Sequence, residues 1–143
     1  MVYDKAKWHS DGDFPKGLPY ENGGTHVGMF LAWVINHGMA GPDLTDEAAS
    51  DLEEVRQRRL TGRTVLFNHL DGVLSDEDLN DEGNAFAKHY YQKYQGEYDA
   101  LIRRKLKTAY HASDDWATYD MVAAMIDRAY SEFRKASGGP KAG

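Results

Sequence analysis

The chain has 143 residues, 41% of them hydrophobic and 12% aromatic, with 28% charged and a formal net charge of -6. That length suits one domain with a core of its own. The acid surplus argues against general binding to nucleic acid or an anionic membrane and suits a basic partner, and the absence of cysteine excludes disulfides, thiolate metal sites and thiol nucleophiles.

Residues 1–24 hold Gly12, Pro15, Gly17, Pro19, Gly23 and Gly24, with Trp8, Phe14, Leu18 and Tyr20 between them. So many breakers rule against a long regular element, and the aromatics predict an ordered irregular arm packed over the core. The start, Met-Val-Tyr-Asp-Lys-Ala-Lys-Trp, shows no apolar signal-peptide region, so the expected location is the cytoplasm.

From Thr25 to Asn36 the sequence Thr-His-Val-Gly-Met-Phe-Leu-Ala-Trp-Val-Ile-Asn is apolar around its whole circumference. A helix without a polar stripe belongs at the centre of a fold, and this one is too short to span a bilayer. Thr25 is placed to cap it and Gly38 to end it. A second helix is predicted to open at Leu44 and Thr45, with Thr45 as cap and Leu44, Ala48, Leu52 and Val55 as one narrow buried stripe. Asp46 and Glu47 at its start and Arg56, Arg58 and Arg59 at its end follow the helix dipole. Thr61-Gly62 breaks it before a short helix through Val65, Leu66, Phe67 and Leu70.

Asp71-Gly72 reads as a turn, and Ser75 with Asp78 has the spacing of a capping box. Six acids and no base lie between Asp71 and Glu82. Phe86, Tyr90, Tyr94 and Tyr98 then recur every four residues as a ladder on one helical face, which Gly96 is placed to kink. Arg103, Arg104, Lys105 and Lys107 form the basic cluster of the chain. Ser113 is the expected cap of a last helix whose seam runs Trp116, Tyr119, Ala123, Ile126, Tyr130 and Phe133, and a disordered tail is expected from Ser137 to Gly143.

The predicted fold is therefore all-α: a single compact domain of five or six helices around a central apolar helix. It divides into an arm (1–24), a helical domain (25–136) and a tail (137–143). No catalytic or cofactor motif stands out, and no metal site is assigned. His9, Asp11 and Asp13 alternate along an extended segment and could bring an imidazole and two carboxylates together. His26 and His37 lie on one helix face but three turns apart, too far for a shared metal. Asp78, Asn80, Glu82 and Gly83 imitate a calcium loop, yet His89 stands where its bidentate Glu is needed.

Three segments carry a resemblance: Tyr3-Asp4-Lys5-Ala6-Lys7-Trp8-His9 with Gly12-Asp13-Phe14-Pro15; Thr25 to Trp33; and Asp76 to Ala87 running into Tyr90-Tyr91. Together they resemble a family of short bacterial proteins of uncharacterised function, similar in kind to the immunity proteins that neutralise antibacterial toxins. The resemblance implies a non-catalytic binding protein whose partner is a cognate toxin with a basic surface, with no nucleic acid, membrane or cofactor involved. Asp76, Glu77, Asp78, Asp81 and Glu82 would supply the charge of the interface, and Tyr90, Tyr91 and Tyr94 its anchors. The alternatives are a small metal-dependent enzyme using His9, Asp11, Asp13 and His26, and a regulatory or scaffold subunit. The sequence leaves the oligomeric state open.

Overall fold

In a computed structural model describing residues 1–137, the chain is 69% helical, with six helices and one small two-stranded sheet. The central helix α2 spans Thr25–Asn36, and every residue from Thr25 to Ile35 is buried. Apolar side chains on all sides of α2 are met by a neighbour on all sides. α4 (Gly62–Leu70), α3 (Pro42–Arg56), α5 (Asp81–Ile102) and α6 (Trp116–Ala136) surround it.

α2 and α4 approach each other through glycine. A Cβ on Gly28 would lie 2.4 Å from the Arg63 backbone, and one on Gly62 would lie 2.0 Å from the Gly28 carbonyl oxygen. No side chain fits in that crossing, so both positions require glycine for close approach. Thr61 caps α4 by accepting a hydrogen bond from Thr64 N–H at 3.3 Å.

The aromatic ladder of α5 packs inward as a unit, with Phe86, Tyr90, Tyr94 and Tyr98 all buried. Phe86 stacks on Tyr90 at 5.2 Å and lies edge-on to Tyr130 of α6 at 5.1 Å. Gly96 neither kinks nor breaks α5, which runs continuously past it with open space where a Cβ would stand. The seam of α6 meets the core through buried Tyr119, Val122, Met125 and Ile126.

Several boundaries differ from the sequence reading for local physical reasons. Thr25 is the first residue of α2 and Gly24 its cap; the Thr25 hydroxyl accepts instead from Arg63 at 3.1 Å. α3 begins at Pro42, whose fixed φ and missing N–H suit a first helical turn, so Thr45 lies inside the helix. Asp115 rather than Ser113 caps α6, accepting from Thr118 N–H at 2.8 Å. The Ser75–Asp78 capping box forms, but on a single 3-10 turn (Asp76–Asp78); α5 starts afresh with Asn80 as its cap. Residues 138–143 of the expected tail lie outside the described residues.

The arm is more regular than its glycine and proline content suggested. β1 (Val2–Lys5) pairs antiparallel with β2 (Val73–Ser75), with Asp4 opposite Leu74 and Lys5 opposite Val73. The short helix α1 (Ala6–Ser10) follows, and a 3-10 turn (Tyr20–Gly24) leads into α2. The sheet fixes the arm against the body of the protein and directs Asp4 inward. No helix among the described residues is long and apolar enough to cross a membrane.

Candidate functional site

At the N-terminal end of α2 the apolar core gives way to a buried carboxylate. Asp4, 1% exposed, is held there by the β1–β2 pairing and by Ala6 N–H donating to the Gly72 carbonyl at 2.9 Å. Two imidazoles converge on it from different elements. His9 of α1 meets Asp4 Oδ1 through Nε2 at 2.8 Å, and His26 of α2 meets Oδ2 through Nε2 at 3.0 Å. The two Nε2 atoms are themselves 3.2 Å apart.

A further ring of groups orients these three. On α5, Tyr91 O–H and Gln95 Nε2–H both donate to Asp4 Oδ2, at 2.7 and 2.9 Å. The Lys5 backbone N–H donates to Oδ1 at 2.9 Å. His9 Nδ1 lies 2.9 Å from the Tyr110 hydroxyl, and the Tyr94 hydroxyl donates to the His26 carbonyl at 2.6 Å. Four segments of the chain thus meet at one carboxylate, and a fifth reaches it through His9. A cleft of about 320 Å³ bordered by His9, His26, Gln95, Tyr98 and Tyr110 opens beside it.

The electrostatics follow from burial and from these donors. Burial pushes the Asp4 carboxyl up, but the hydrogen bonds from His26, His9 and Tyr91 outweigh it and hold the group well below the usual carboxylate range. Burial lowers the pKa of His26 despite the bond to Asp4, which favours a neutral ring donating through Nε2–H. Burial also raises the Tyr91 hydroxyl far above its ordinary value, so it stays a donor. Among the described residues the ion-pair partners of Asp4 are His9 and His26, with no Lys or Arg among them.

A family described as "Domain of unknown function (DUF7832)" matches residues 2–112. The chain belongs to this family. No curated protein and no solved structure matches it. All the side chains of the cluster, from Asp4 to Tyr110, fall inside the family region, whereas α6 lies beyond it.

The residues expected from sequence are distributed differently. Of the four candidate metal-ligating residues, His9 and His26 come together, while Asp11 and Asp13 are exposed and turned away; Asp11 pairs loosely with Lys7 at 4.0 Å. The missed member is Asp4, five residues before His9. Its signal was weak, because a lone acid flanked by Tyr3 and Lys5 reads as surface until β1 is known to exist.

The expected partner-binding residues also divide. Glu77, Asp81 and Glu82 are exposed. Asp76 is half-buried and pairs with the Met1 amino group at 3.1 Å. Asp78 is buried, accepting from Ser75 N–H at 2.8 Å to close its turn, and burial raises its pKa. Tyr90, Tyr91 and Tyr94 are 3%, 4% and 0% exposed. They are corrected from surface anchors to core residues, because the ladder face of α5 is the face that meets α2.

The exposed acids have company that the sequence order concealed. Gly41 N–H donates to the Asp78 carbonyl and Asn80 N–H to the Met39 carbonyl, both at 2.8 Å. These bonds set the residues that lead into α3 beside those that lead into α5, with α3 next to the Asp76–Asp78 turn. Asp43, Asp46 and Glu47 of α3 are exposed like Glu77, Asp81 and Glu82, and neither segment 38–55 nor 71–87 contains Lys or Arg. Arg134 approaches one member of the group, Glu82, at 3.5 Å.

Proposed function

We propose that this chain is a non-catalytic binding protein of the cytoplasm, an immunity-type inhibitor that neutralises a bacterial toxin by covering a basic surface on it. The observation that supports this reading is the backbone junction of the two segments that lead into the acidic helix starts at Pro42 and Asp81. Acids in a first helical turn favour their own helix through its dipole. Two such turns on joined segments also sum their potentials, which speeds encounter with a cation-rich partner and disfavours acidic ones.

The interface is drawn from Glu77, Asp81 and Glu82, joined by Asp43 and Glu47. The anchors that the tyrosines cannot supply must come from the partner or from exposed side chains nearby. A stable scaffold suits the role, since binding then costs little ordering entropy.

The test is growth rescue. The tagged chain would be used to capture a toxin-like polypeptide from the organism that encodes it, and the two would be co-expressed. The chain should restore growth, and a Glu47→Lys, Glu77→Lys, Asp81→Lys variant of unchanged helicity should associate at least about tenfold more slowly at low salt, with a flattened salt dependence. Full rescue by the triple variant would move the interface elsewhere, and failure of the unaltered chain to rescue would remove the inhibitor reading.

A further inference from the structure

We propose that Asp4, His9 and His26 form a binding site for a divalent transition ion of the zinc class, independent of any toxin-binding role. The argument starts from the donor geometry. Nitrogen donors about 2.0 to 2.1 Å from a tetrahedral ion stand roughly 3.3 Å from each other. The two Nε2 atoms are 3.2 Å apart, and each lies 2.8 or 3.0 Å from a carboxylate oxygen of Asp4. All three ligand atoms lie within 4.8 Å of one another. His9 and His26 approach different oxygens of the carboxylate, so an ion between the two nitrogens would face both Oδ1 and Oδ2.

Hydrogen-bond accounting favours the same conclusion. Asp4 Oδ1 faces donors from Lys5 and His9, and Oδ2 faces donors from His26, Tyr91 and Gln95. Five donors compete for about four lone-pair sites. Replacing the two imidazole Nε2–H groups by an ion removes that excess and leaves Tyr91, Gln95 and the Lys5 amide to orient the carboxylate. The ion would also supply positive charge to a buried carboxylate that has no Lys or Arg partner among the described residues.

The outer contact of His9 matches what a metal-bound imidazole requires. With Nε2 on the ion, His9 carries its proton on Nδ1, 2.9 Å from the Tyr110 hydroxyl, which can accept it. Two imidazoles and one carboxylate leave at least one coordination position for water or a ligand. The cleft bordered by Tyr98 and Tyr110 provides access to that position. Tyr98 itself is 2% exposed, and its hydroxyl is buried with no hydrogen-bond partner among the described residues. It is an unmet polar group at the wall of the same cleft. Mixed nitrogen and oxygen donors select zinc-class ions over Ca²⁺ and Mg²⁺, which take oxygen ligands.

The experiment is calorimetric titration of chelator-treated full chain with Zn²⁺, repeated with Mg²⁺. About one equivalent of Zn²⁺ should bind at micromolar concentration or tighter, Mg²⁺ should not, and the ¹⁵N resonances of His9 and His26 Nε2 should shift together. His9→Gln lies on a short, partly exposed helix and should leave the fold intact while weakening Zn²⁺ binding by about 100-fold or more. Tyr110→Phe, which alters only the outer contact, should weaken it by about tenfold. His89→Gln, at an exposed histidine, should bind as the unaltered chain does. Absence of a saturable equivalent below about 100 μM Zn²⁺, or binding that survives His9→Gln undiminished, overturns the site. No partner is needed for this titration, so its failure and the failure of growth rescue are separate results.

Discussion

The buried stretch of α2, from Thr25 to Ile35, is oppositely built at its two ends. Toward its C-terminal end, Phe30 and Trp33 lie among Phe86, Tyr130 and Tyr94, with ring centroids 5.1 to 6.2 Å apart. Apart from the bond of the Trp33 indole N–H to Asp127, the stabilisation of this end comes from apolar area and dispersion, which depend little on pH. The N-terminal end places His26, 5% exposed, against Asp4. Its stability comes from hydrogen bonds to a charge and depends on protonation. One helix therefore joins a region that fixes the fold to a region that can respond to its surroundings.

The largest effect should come from the apolar end. Trp33 is fully buried and its indole N–H donates to Asp127 Oδ1 at 2.8 Å. Trp33→Ala should cost about 3 to 5 kcal/mol in urea unfolding, the range for deleting a large buried aromatic. A loss below about 1 kcal/mol would mean that α2 is not the centre of the core. At the polar end Asp4→Asn keeps the shape but removes the charge and turns one acceptor into a donor facing other donors. Its expected cost is about 1 to 3 kcal/mol at pH 7, in line with an unsatisfied buried group.

The pH dependence should separate the two ends. His26 has its pKa lowered from 6.5 by burial, so the unfolded chain takes up its proton first. Stability then falls as pH drops below about 6.5, until the folded value is reached. Asp4 is also lowered, from 3.8, and its contribution, full above that value, is lost as pH falls further. Both act in the same direction, so the metal-free chain should lose stability on acidification. Chemical denaturation from pH 7 to pH 3 should give Trp33→Ala a curve displaced downward with its slope intact. Asp4→Asn should flatten the lower part of the curve. Equal slopes in the two variants would show that the polar end does not titrate with folding.

This contrast also explains what could be read from the sequence. The apolar end announces itself: α2 is a continuous run, and Phe86, Tyr90, Tyr94 and Tyr98 repeat with the helical period. Periodicity reports burial well, so the all-α core was legible. The same ladder was open to a second use as binding anchors, because periodicity does not say which neighbour the face meets. The polar end has no period. Asp4, His9, His26, Tyr91, Gln95 and Tyr110 come from five segments, and their meeting depends on a strand pairing across about 70 residues, between Lys5 and Val73. His9 and His26 could be nominated by residue type alone. Asp4 could not, since only the register of β1 turns it inward. The N-terminal cap of α2 failed for a related reason: Thr25 is drawn into tertiary bonding with Arg63, which local capping rules do not anticipate.

The smallest effect, and the sharpest test of the boundary between the two ends, belongs to Tyr98. Its ring closes the aromatic ladder against Tyr94 at 5.9 Å and packs on His26 at 5.6 Å, so it belongs to both regions. Its hydroxyl is buried without a partner among the described residues, and burial pushes its pKa above the ordinary tyrosine range. An unpaired buried hydroxyl carries a desolvation cost that phenylalanine does not. Tyr98→Phe in the metal-free chain should therefore be neutral or stabilising, by no more than about 1 kcal/mol, with the apolar end undisturbed. Destabilisation by more than about 1 kcal/mol would reveal a bond to ordered water in the cleft, and would move Tyr98 from the aromatic core to the polar network. If the hydroxyl instead serves a ligand on the bound ion, the same variant would change Zn²⁺ affinity while leaving metal-free stability alone. Measuring both quantities on one protein thus assigns the residue to one end of α2 or the other.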